Sequence, residues 1–150
     1  MITDDPTGPD LPTSEEYSAE RARFGPLEPV DLGALQQAVT EVYRNQVLVD
    51  VNGECMRLAV FEGEYRWHYH PRTDELFVVL AGELHIEFED RAAVVLAPLQ
   101  CLVVPAGIVH RTRAVGRTVN ITFERQNAET VFVDPAPASS SKPEPPRGTA

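Results

Sequence analysis

The segment GEYRWHYHPRTDELFVVLAG, residues 63–82, contains two histidines and a glutamate at a spacing that suits one face of two adjacent strands. Side chains two residues apart in a strand project to the same face, so His68 and His70 point the same way. A turn over residues 71–74 ends this strand, and Glu75 opens the apolar run ELFVVLAG, where its carboxylate can return to the two imidazoles. Two imidazoles and a carboxylate on one face make most of a metal site.

A fourth candidate ligand lies in the segment VPAGIVHRTR, residues 104–113, where Pro105 and Gly107 predict a turn and His110 begins another strand. Three of the four histidines of the chain fall in these two segments. Neutral imidazole suits Zn, Fe, Cu and Ni, and one carboxylate adds an oxygen donor that Mn and Fe also accept. A set of His68, His70, Glu75 and His110 is therefore chemically coherent as a site for one divalent transition metal (Zn, Fe, Mn, Ni or Cu).

The two segments together resemble the two consensus motifs of the cupin superfamily. The first reads G-x(4)-H-x-H-x(4)-E-x(6)-G, one residue short of the usual first gap, and the second reads P-x-G-x(2)-H. The chain departs from the family at Leu99, where a glycine is usual, and at Ala114, where an asparagine is usual. We expect both departures to affect turn chemistry rather than the ligands.

This resemblance covers residues 45–125 and is strongest to the small single-domain metal-binding cupins described as mannose-6-phosphate-isomerase-like. It implies a metal site in a double-stranded β-helix, and it also implies a homodimer, because small cupins usually bury a sheet face or exchange a strand across a two-fold axis. The apolar run at residues 130–133 is consistent with this, since it reads as an edge strand that needs a partner.

Hydrophobic periodicity independently indicates an all-β chain after residue 45. Nine short apolar runs are separated by Gly, Pro and charged turns, namely QVLVDV, ECMRLAVF, ELFVVLA, ELHIEFE, AAVVLA, QCLVVP, HRTRAV, TVNITFE and ETVFV. They predict a jelly-roll barrel over residues 46–133. Helical spacing of apolar residues from Asp31, a suitable N-cap, predicts one short amphipathic helix over residues 31–45. The single cupin domain is thus expected to span residues 24–133.

Both ends of the chain have a different composition from this domain. Residues 1–23 are acidic, rich in Pro and Thr and poor in apolar side chains, which predicts a mobile N-terminal arm. Residues 134–150, DPAPASSSKPEPPRGTA, are rich in Pro and Ser and predict a disordered tail.

Charge and hydropathy exclude some partners. The formal net charge of −10 argues against nucleic acid as a partner, because nucleic-acid binding normally requires a basic surface. No apolar run approaches the ~18 residues of a membrane span, and no secretory leader pattern opens the chain, so we expect a cytoplasmic protein without membrane contact. Cys55 and Cys101 lie in apolar runs and are expected to be buried reduced thiols.

The same strand alternation predicts which side chains surround the metal. Arg66 shares parity with His68 and could bind an anionic group, although an arginine near a barrel mouth can equally face solvent. The apolar lining of the substrate pocket is predicted from Phe77, Val79, Leu102 and Val104. In contrast, His85, Arg111 and Arg113 are expected on a polar outer face.

The site suits two classes of function. As a small-molecule enzyme, the protein would use the metal as a Lewis acid in isomerase, cyclase or lyase chemistry, or as a dioxygenase with Fe or Mn. As a non-catalytic ligand-binding or accessory cupin, it would bind a small molecule without turnover. No catalytic residue beyond the ligands is identified, and the chain contains no GxSxG, Gly-rich phosphate loop or CxxC motif.

Overall fold

The computed structural model describes residues 11–134, which form eight strands and two short helices. The expected all-β architecture is confirmed. The elements are α1 Ser14–Ala19, α2 Leu32–Gln37, β1 Tyr43–Val51, β2 Glu54–Glu64, β3 His68–Tyr69, β4 Glu75–Phe88, β5 Val94–Leu96, β6 Cys101–Val104, β7 His110–Arg125 and β8 Val131–Phe132.

Strand β7 is the centre of the sheet. It pairs antiparallel with β2, β3 and β4, while β1 adds to β2 and β8 adds to β3. On its other edge β4 pairs with β6 along its first half and with β5 along its second half. Strand β8 contains the apolar run that was expected to need a partner from a second subunit, and it finds that partner in β3 of the same chain.

The two longest strands each join two of the predicted runs. β4 has 14 residues and combines ELFVVLA with ELHIEFE, and β7 has 16 residues and combines HRTRAV with TVNITFE. Both continue through a glycine with positive φ, Gly82 at 86° and Gly116 at 67°. A Cβ on Gly82 would lie 2.5 Å from Thr118 Oγ1, so the close approach of β7 admits only glycine there. The strands therefore bend at these positions instead of ending.

The sheet formed by β1, β2 and β7 is buried on both faces. On β2, Ala59 and Phe61 face one apolar cluster together with β4, whereas Leu58 and Val60 face a second cluster. Half-buried side chains of α2 pack on the second cluster. Period-two alternation thus places one set of side chains inside the barrel and the other under α2.

The predicted amphipathic helix is present but shorter than expected. Asp31 is its N-cap, with Oδ1 accepting a hydrogen bond from Ala34 N at 2.9 Å. The helix ends at Gln37 instead of residue 45, because Tyr43 already pairs with Phe61 in the sheet. Both described helices have six residues, and none within residues 11–134 is long and apolar enough to cross a membrane.

The N-terminal arm differs from its prediction over the part that the structure describes. Helix α1 begins with a capping box, in which Thr13 and Glu16 exchange side-chain and backbone hydrogen bonds, and it buries Tyr17. After the helix, the backbone N–H groups of Arg23 and Phe24 donate to carbonyls of β1. The folded part therefore starts before residue 24. The first ten residues of the predicted arm and residues 135–150 of the predicted tail lie outside the described residues.

The two cysteines have different environments. Cys55 is buried, as expected, and burial raises the pKa of its thiol to about 11. Cys101 is exposed, so the expectation that it is buried was wrong. It lies on the outward side of β6 together with Val103, while Val104 faces the core. An apolar run on an edge strand therefore buries only every second residue.

Candidate metal centre

The structure brings the four predicted ligands together. One donor atom from each of His68, His70, Glu75 and His110 lies within 4.8 Å of the others, and every one of these residues is at most 4% exposed. His68 lies in β3 directly opposite His110, the first residue of β7. Glu75 is the first residue of β4 and follows the turn at residues 71–74, as the spacing predicted.

Each imidazole is held by a backbone carbonyl at its Nδ1 atom. The distances are 2.7 Å from His68 Nδ1 to Arg66 O, 3.0 Å from His70 Nδ1 to Glu129 O, and 2.8 Å from His110 Nδ1 to Ile108 O. Because a carbonyl only accepts, each Nδ1 carries the proton and each neutral ring keeps its lone pair on Nε2. This is the arrangement by which proteins orient metal-binding histidines.

The Nε2 atoms point into the space that a metal would occupy. Those of His70 and His110 are fully buried and have no hydrogen-bond partner, although carboxylate oxygens of Glu75 lie 3.3 and 3.7 Å away. Buried nitrogen atoms without partners are costly unless a ligand satisfies them. Three imidazoles and one carboxylate fit a divalent transition metal chemically.

The two histidines of the first motif, His68 and His70, differ in pKa. Burial lowers the pKa of His68 to about 3, so this ring is neutral. For His70, burial alone would lower the pKa, but the neighbouring carboxylate of Glu75 outweighs it and raises the pKa to about 9. Burial opposes ionisation of Glu75, yet the neighbouring imidazoles of His110 and His70 hold its pKa well below the usual range. Without metal, the site thus stores a proton on His70.

A second carboxyl group, Glu124, lies beside the ligands and was not identified from the sequence. Its Oε1 accepts a hydrogen bond from the Tyr17 hydroxyl at 2.6 Å and lies 3.1 Å from Arg57 Nε, while Oε2 lies 3.7 Å from His70 Nε2. Burial, followed by the charge of Glu75, raises the pKa of Glu124. We refer to Tyr17, Arg57 and Glu124 as the Arg57 cluster.

Arg57 is the buried cation of this cluster. It donates to the backbone carbonyl of Tyr17 at 2.7 Å and to Glu20 at 3.1 Å, and its guanidinium lies 3.6 Å from the centre of the Tyr17 ring. A sequence signal for the cluster exists. In TVNITFE, the polar residues Asn120, Thr122 and Glu124 alternate with apolar ones, and the structure buries both sets. Two-sided burial makes such alternating polar residues candidates for an internal site.

The space beside the ligands is a cavity of about 40 Å³. Three tyrosines form part of its wall, Tyr17, Tyr43 and Tyr65. The rings of Tyr43 and Tyr65 are stacked at 5.8 Å, and Tyr65 meets the His68 ring edge-on at 5.3 Å. The remaining lining residues are Asn45, Ala59, Phe61, His68, His70, Glu75, Phe77, Thr112, Asn120, Thr122 and Thr130.

Of the five predicted pocket residues, Phe77 lines this cavity, with its ring 6.1 Å from that of His110. Val79, Leu102 and Val104 belong to the apolar cluster next to Phe77 and not to the cavity wall. Arg66 is exposed and stacks on the Phe132 ring at 3.7 Å. Residues 65–67 are not part of a strand, so the parity that linked Arg66 to His68 does not hold, and Tyr65 lines the cavity instead.

The residues expected on the outer face lie there. Arg113 Nε lies 2.8 Å from a carboxylate oxygen of Glu87, and Arg111 lies 3.0 Å from Glu64. His85 is 17% exposed at its side chain and contacts Glu83 and Arg113. None of His85, Arg111 and Arg113 lines the cavity at the ligands.

The two departures from the cupin motifs have different structural settings. Leu99 has φ of 68° in the turn between β5 and β6, which explains why glycine is usual there and confirms the expected effect on a turn. Ala114 lies inside β7 and is buried in the core next to Phe61 and Leu84. The expectation of turn chemistry was therefore wrong for Ala114.

The fold and the donor set define a small double-stranded β-helix protein with a candidate His3Glu metal centre. Residues 55–123 match the family described as Cupin domain. The chain is also 49% identical over 107 residues to the uncharacterized protein YdbB of Bacillus subtilis, an alignment that covers 71% of this chain and 95% of YdbB. The chain belongs to the cupin superfamily.

Solved structures agree with this fold. A cupin-2 domain containing protein from Shewanella frigidimarina superposes with a TM-score of 0.60 at 27% identity, covering 64% of this chain and 93% of that one. A cupin superfamily protein from Desulfitobacterium hafniense gives a TM-score of 0.56 at 23% identity, covering 68% and 94%. The second likeness is one of fold alone.

Proposed function

We propose that this cupin binds one divalent transition metal through His68, His70, Glu75 and His110 and uses it to convert a small molecule. The observation that carries the proposal is the fixed orientation of all three imidazoles. Carbonyl oxygens hold their Nδ1 atoms at 2.7–3.0 Å, and the Nε2 atoms converge with Glu75 on one point. Membership of the mannose-6-phosphate-isomerase-like subgroup is part of this proposal and is supported by the motif spacing.

A bound metal would supply Lewis-acid chemistry on an enolisable carbonyl, as in isomerases, cyclases and lyases, or dioxygen chemistry with Fe or Mn. Side chains of the protein would orient the site, exclude water and hold protons. His68 stays neutral and orients the site, while burial of all four ligands excludes bulk water. Glu124 Oε2, 3.7 Å from His70 Nε2, would hold or release a proton beside the ligand set.

The size of the cavity favours an alternative function, a non-catalytic ligand-binding or accessory cupin. Its volume of about 40 Å³ is far below the roughly 300–1,000 Å³ of usual small-molecule sites. A protein that only bound a metal with very small ligands would need no larger space. Turnover of added carbonyl or bidentate substrates by the metal-loaded protein would distinguish the enzyme from the binder.

We further propose that the protein acts in the cytoplasm as a homodimer. Strands β5 and β6 each pair with β4 alone, and they expose Val95, Cys101 and Val103. Edge strands with exposed apolar side chains are natural places for a second copy to pair. Light scattering after gel filtration tests this, and a monomer at micromolar concentration would refute it.

The metal proposal is tested by elemental analysis of protein purified without chelator. We expect about one ion per chain in the wild type and in His85→Ala, a matched control because His85 lies on the outer face. His68→Ala and His110→Ala should lose the ion and keep the circular dichroism of a β protein. Fe or Mn would favour oxygen chemistry, and Zn or Ni would favour Lewis-acid chemistry. Wild-type protein without metal after reconstitution would refute the proposal.

A further inference from the structure

The cavity at the ligands adjoins a larger groove. The groove has a volume of about 500 Å³ and lies beside α1. Three residues line both spaces, Tyr17, Tyr43 and Asn45. Within residues 11–134, these three side chains thus lie at the boundary between the cavity at the ligands and the groove.

Only one of the three belongs to an element that can move without breaking the sheet. Tyr43 and Asn45 lie in β1 and pair with Phe61 and Ala59 of β2. Tyr17 lies on α1, which has six residues and no other buried side chain. Moving the Tyr17 ring would therefore break only the contacts of that residue. Displacing β1 would break the backbone hydrogen bonds between β1 and β2.

The contacts of Tyr17 are directional and few. Its hydroxyl donates to Glu124 at 2.6 Å, its ring stacks on Arg57 at 3.6 Å, and its carbonyl accepts from Arg57. The remaining side-chain bond from α1 to the barrel is that from Ser14 Oγ to Thr130 O at 2.7 Å. The ring is thus held in place mainly by the Arg57 cluster.

The volumes set what can reach the ligands. A cavity of about 40 Å³ accommodates only molecules of the size of one or two waters, since one water needs roughly 10–15 Å³ on this measure. An organic molecule does not fit. Joined to the groove of about 500 Å³, the combined space falls within the usual range for a small-molecule site.

We propose that Tyr17 is a specificity-determining residue that selects ligands by size at the candidate metal centre, an inference that rests on the proposed function. With the ring in the wall, water-sized molecules reach the imidazoles. With the ring displaced, an organic molecule lying in the groove extends one end to them. The groove offers the carboxylates of Glu16 and Glu20, the guanidinium of Arg44 and the apolar side chains of Leu11 and Pro12. It therefore suits a small polar molecule that also has an apolar part.

The test measures access to the imidazoles in the full chain after metal has been removed by chelation. Diethyl pyrocarbonate, which is too large for a cavity of about 40 Å³, acylates imidazoles, and mass spectrometry gives the rate at each histidine. His85, outside the cavity, is the internal reference. We expect His68 and His110 to react slowly relative to His85 in the wild type, and at least about 10-fold faster in Tyr17→Ala.

Matched variants distinguish the effect of the Tyr17 ring on access from the effect of the rest of α1. Glu15→Ala, on the exposed side of α1, and Tyr17→Phe, which keeps the ring, should both stay within about twofold of the wild-type ratio. Tyr17→Leu, which retains apolar packing, should react faster and tests the proposal if Tyr17→Ala does not fold.

Two outcomes would overturn the proposal. One is the same ratio of His68 and His110 to His85 in the wild type and in a folded Tyr17→Ala or Tyr17→Leu. The other is a Tyr17→Phe variant as reactive as Tyr17→Ala, which would mean that the hydrogen bond and not the ring controls access. Because the assay uses metal-free protein, wild-type protein that takes up no metal would refute the proposed function without affecting this result.

Discussion

Two buried polar groups lie side by side in the barrel, the ligand set and the Arg57 cluster, and they differ in how their polar atoms are used. In the ligand set, one nitrogen of each imidazole is held by a carbonyl while the Nε2 atoms of His70 and His110 lack partners. In the Arg57 cluster, Arg57 Nε and Glu124 Oε2 also lack hydrogen-bond partners, but the cluster contains a permanent cation, the Arg57 guanidinium, which lies 3.1 Å from oxygens of Glu20 and Glu124 and 3.6 Å from the centre of the Tyr17 ring.

This difference distinguishes binding from structural support. A buried cation between carboxyl groups holds the chain in place, whereas four donor groups that converge without a cation suit a bound metal ion. Glu124 belongs to both groups, because Oε1 faces Arg57 and Oε2 faces His70. Glu124 therefore connects the Arg57 cluster to the ligand set.

The largest effect is expected from breaking the Arg57 cluster. Arg57→Met leaves the buried carboxylate of Glu124 without its cation, which should lower the free energy of unfolding by about 3–5 kcal/mol. Urea denaturation measures this loss. Arg44→Met is the control, because its ion pair with Glu41 is exposed and should leave the midpoint unchanged. Adding Glu124→Leu to Arg57→Met should recover part of the loss, and no recovery would contradict the role of the buried charge.

The ligand set, by contrast, is expected to respond to pH. The pKa of His70 is about 9 without metal, and a metal binds only the neutral imidazole, so one proton must leave His70 below that pH. Metal affinity should therefore rise about tenfold, or about 1.4 kcal/mol, per pH unit from pH 7 and level off near pH 9. Calorimetry in buffers of different ionisation enthalpy counts the released proton. Glu124→Gln should keep this slope, and an affinity independent of pH would show that His70 holds no proton.

A smaller effect is expected from Tyr17→Phe, which removes one hydrogen bond of the Arg57 cluster and leaves the ligand set intact. The lost bond to Glu124 should lower the free energy of unfolding by about 1–1.5 kcal/mol. Metal content should not change. Thermal unfolding and elemental analysis of the same preparation check both statements, and loss of metal would show that the two groups are not separable in this way.

The smallest effect is expected outside both groups. Leu99 is 86% exposed with φ of 68°, so Leu99→Gly relieves backbone strain in a turn and should stabilise the fold by up to about 1 kcal/mol. Ala106→Gly, in the exposed turn before His110, is the comparison variant and should not stabilise. A Leu99→Gly protein less stable than the wild type would mean that the side chain makes contacts that outweigh the strain.

The ligand set was predictable from the sequence because the two segments that contain His68, His70, Glu75 and His110 match both cupin motifs in spacing, whereas strand parity alone would not have distinguished ligands from surface histidines. The all-β fold followed from runs of period two. The continuity of strands β4 and β7 was not predicted. Gly82 was interpreted as the end of a run, and only its close contact with Thr118 shows that β4 passes through it.

The Arg57 cluster was not predicted, for a different physical reason. The polar average composition of residues 1–23 did not predict the short helix α1. This helix has the T-x-x-E capping box at Thr13 and Glu16 and contains the single buried tyrosine, Tyr17. Glu124 ends the run TVNITFE, and that run alone does not show that its carboxyl group is buried. Its burial depends on Arg57 and Tyr17, which lie far from it along the chain, and single-sequence reasoning does not supply such distant pairs.

The contact between Tyr17 and Glu124 joins positions 107 residues apart, while the hairpin of β1 and β2 closes across a turn at Asn52 and Gly53. Closing a longer loop costs more chain entropy, so we expect the hairpin to form early in folding and α1 to dock late. The ligands need only β3, β4 and β7 to meet. We therefore expect the ligand set to assemble while the barrel is still open, before the N-terminal helix covers it.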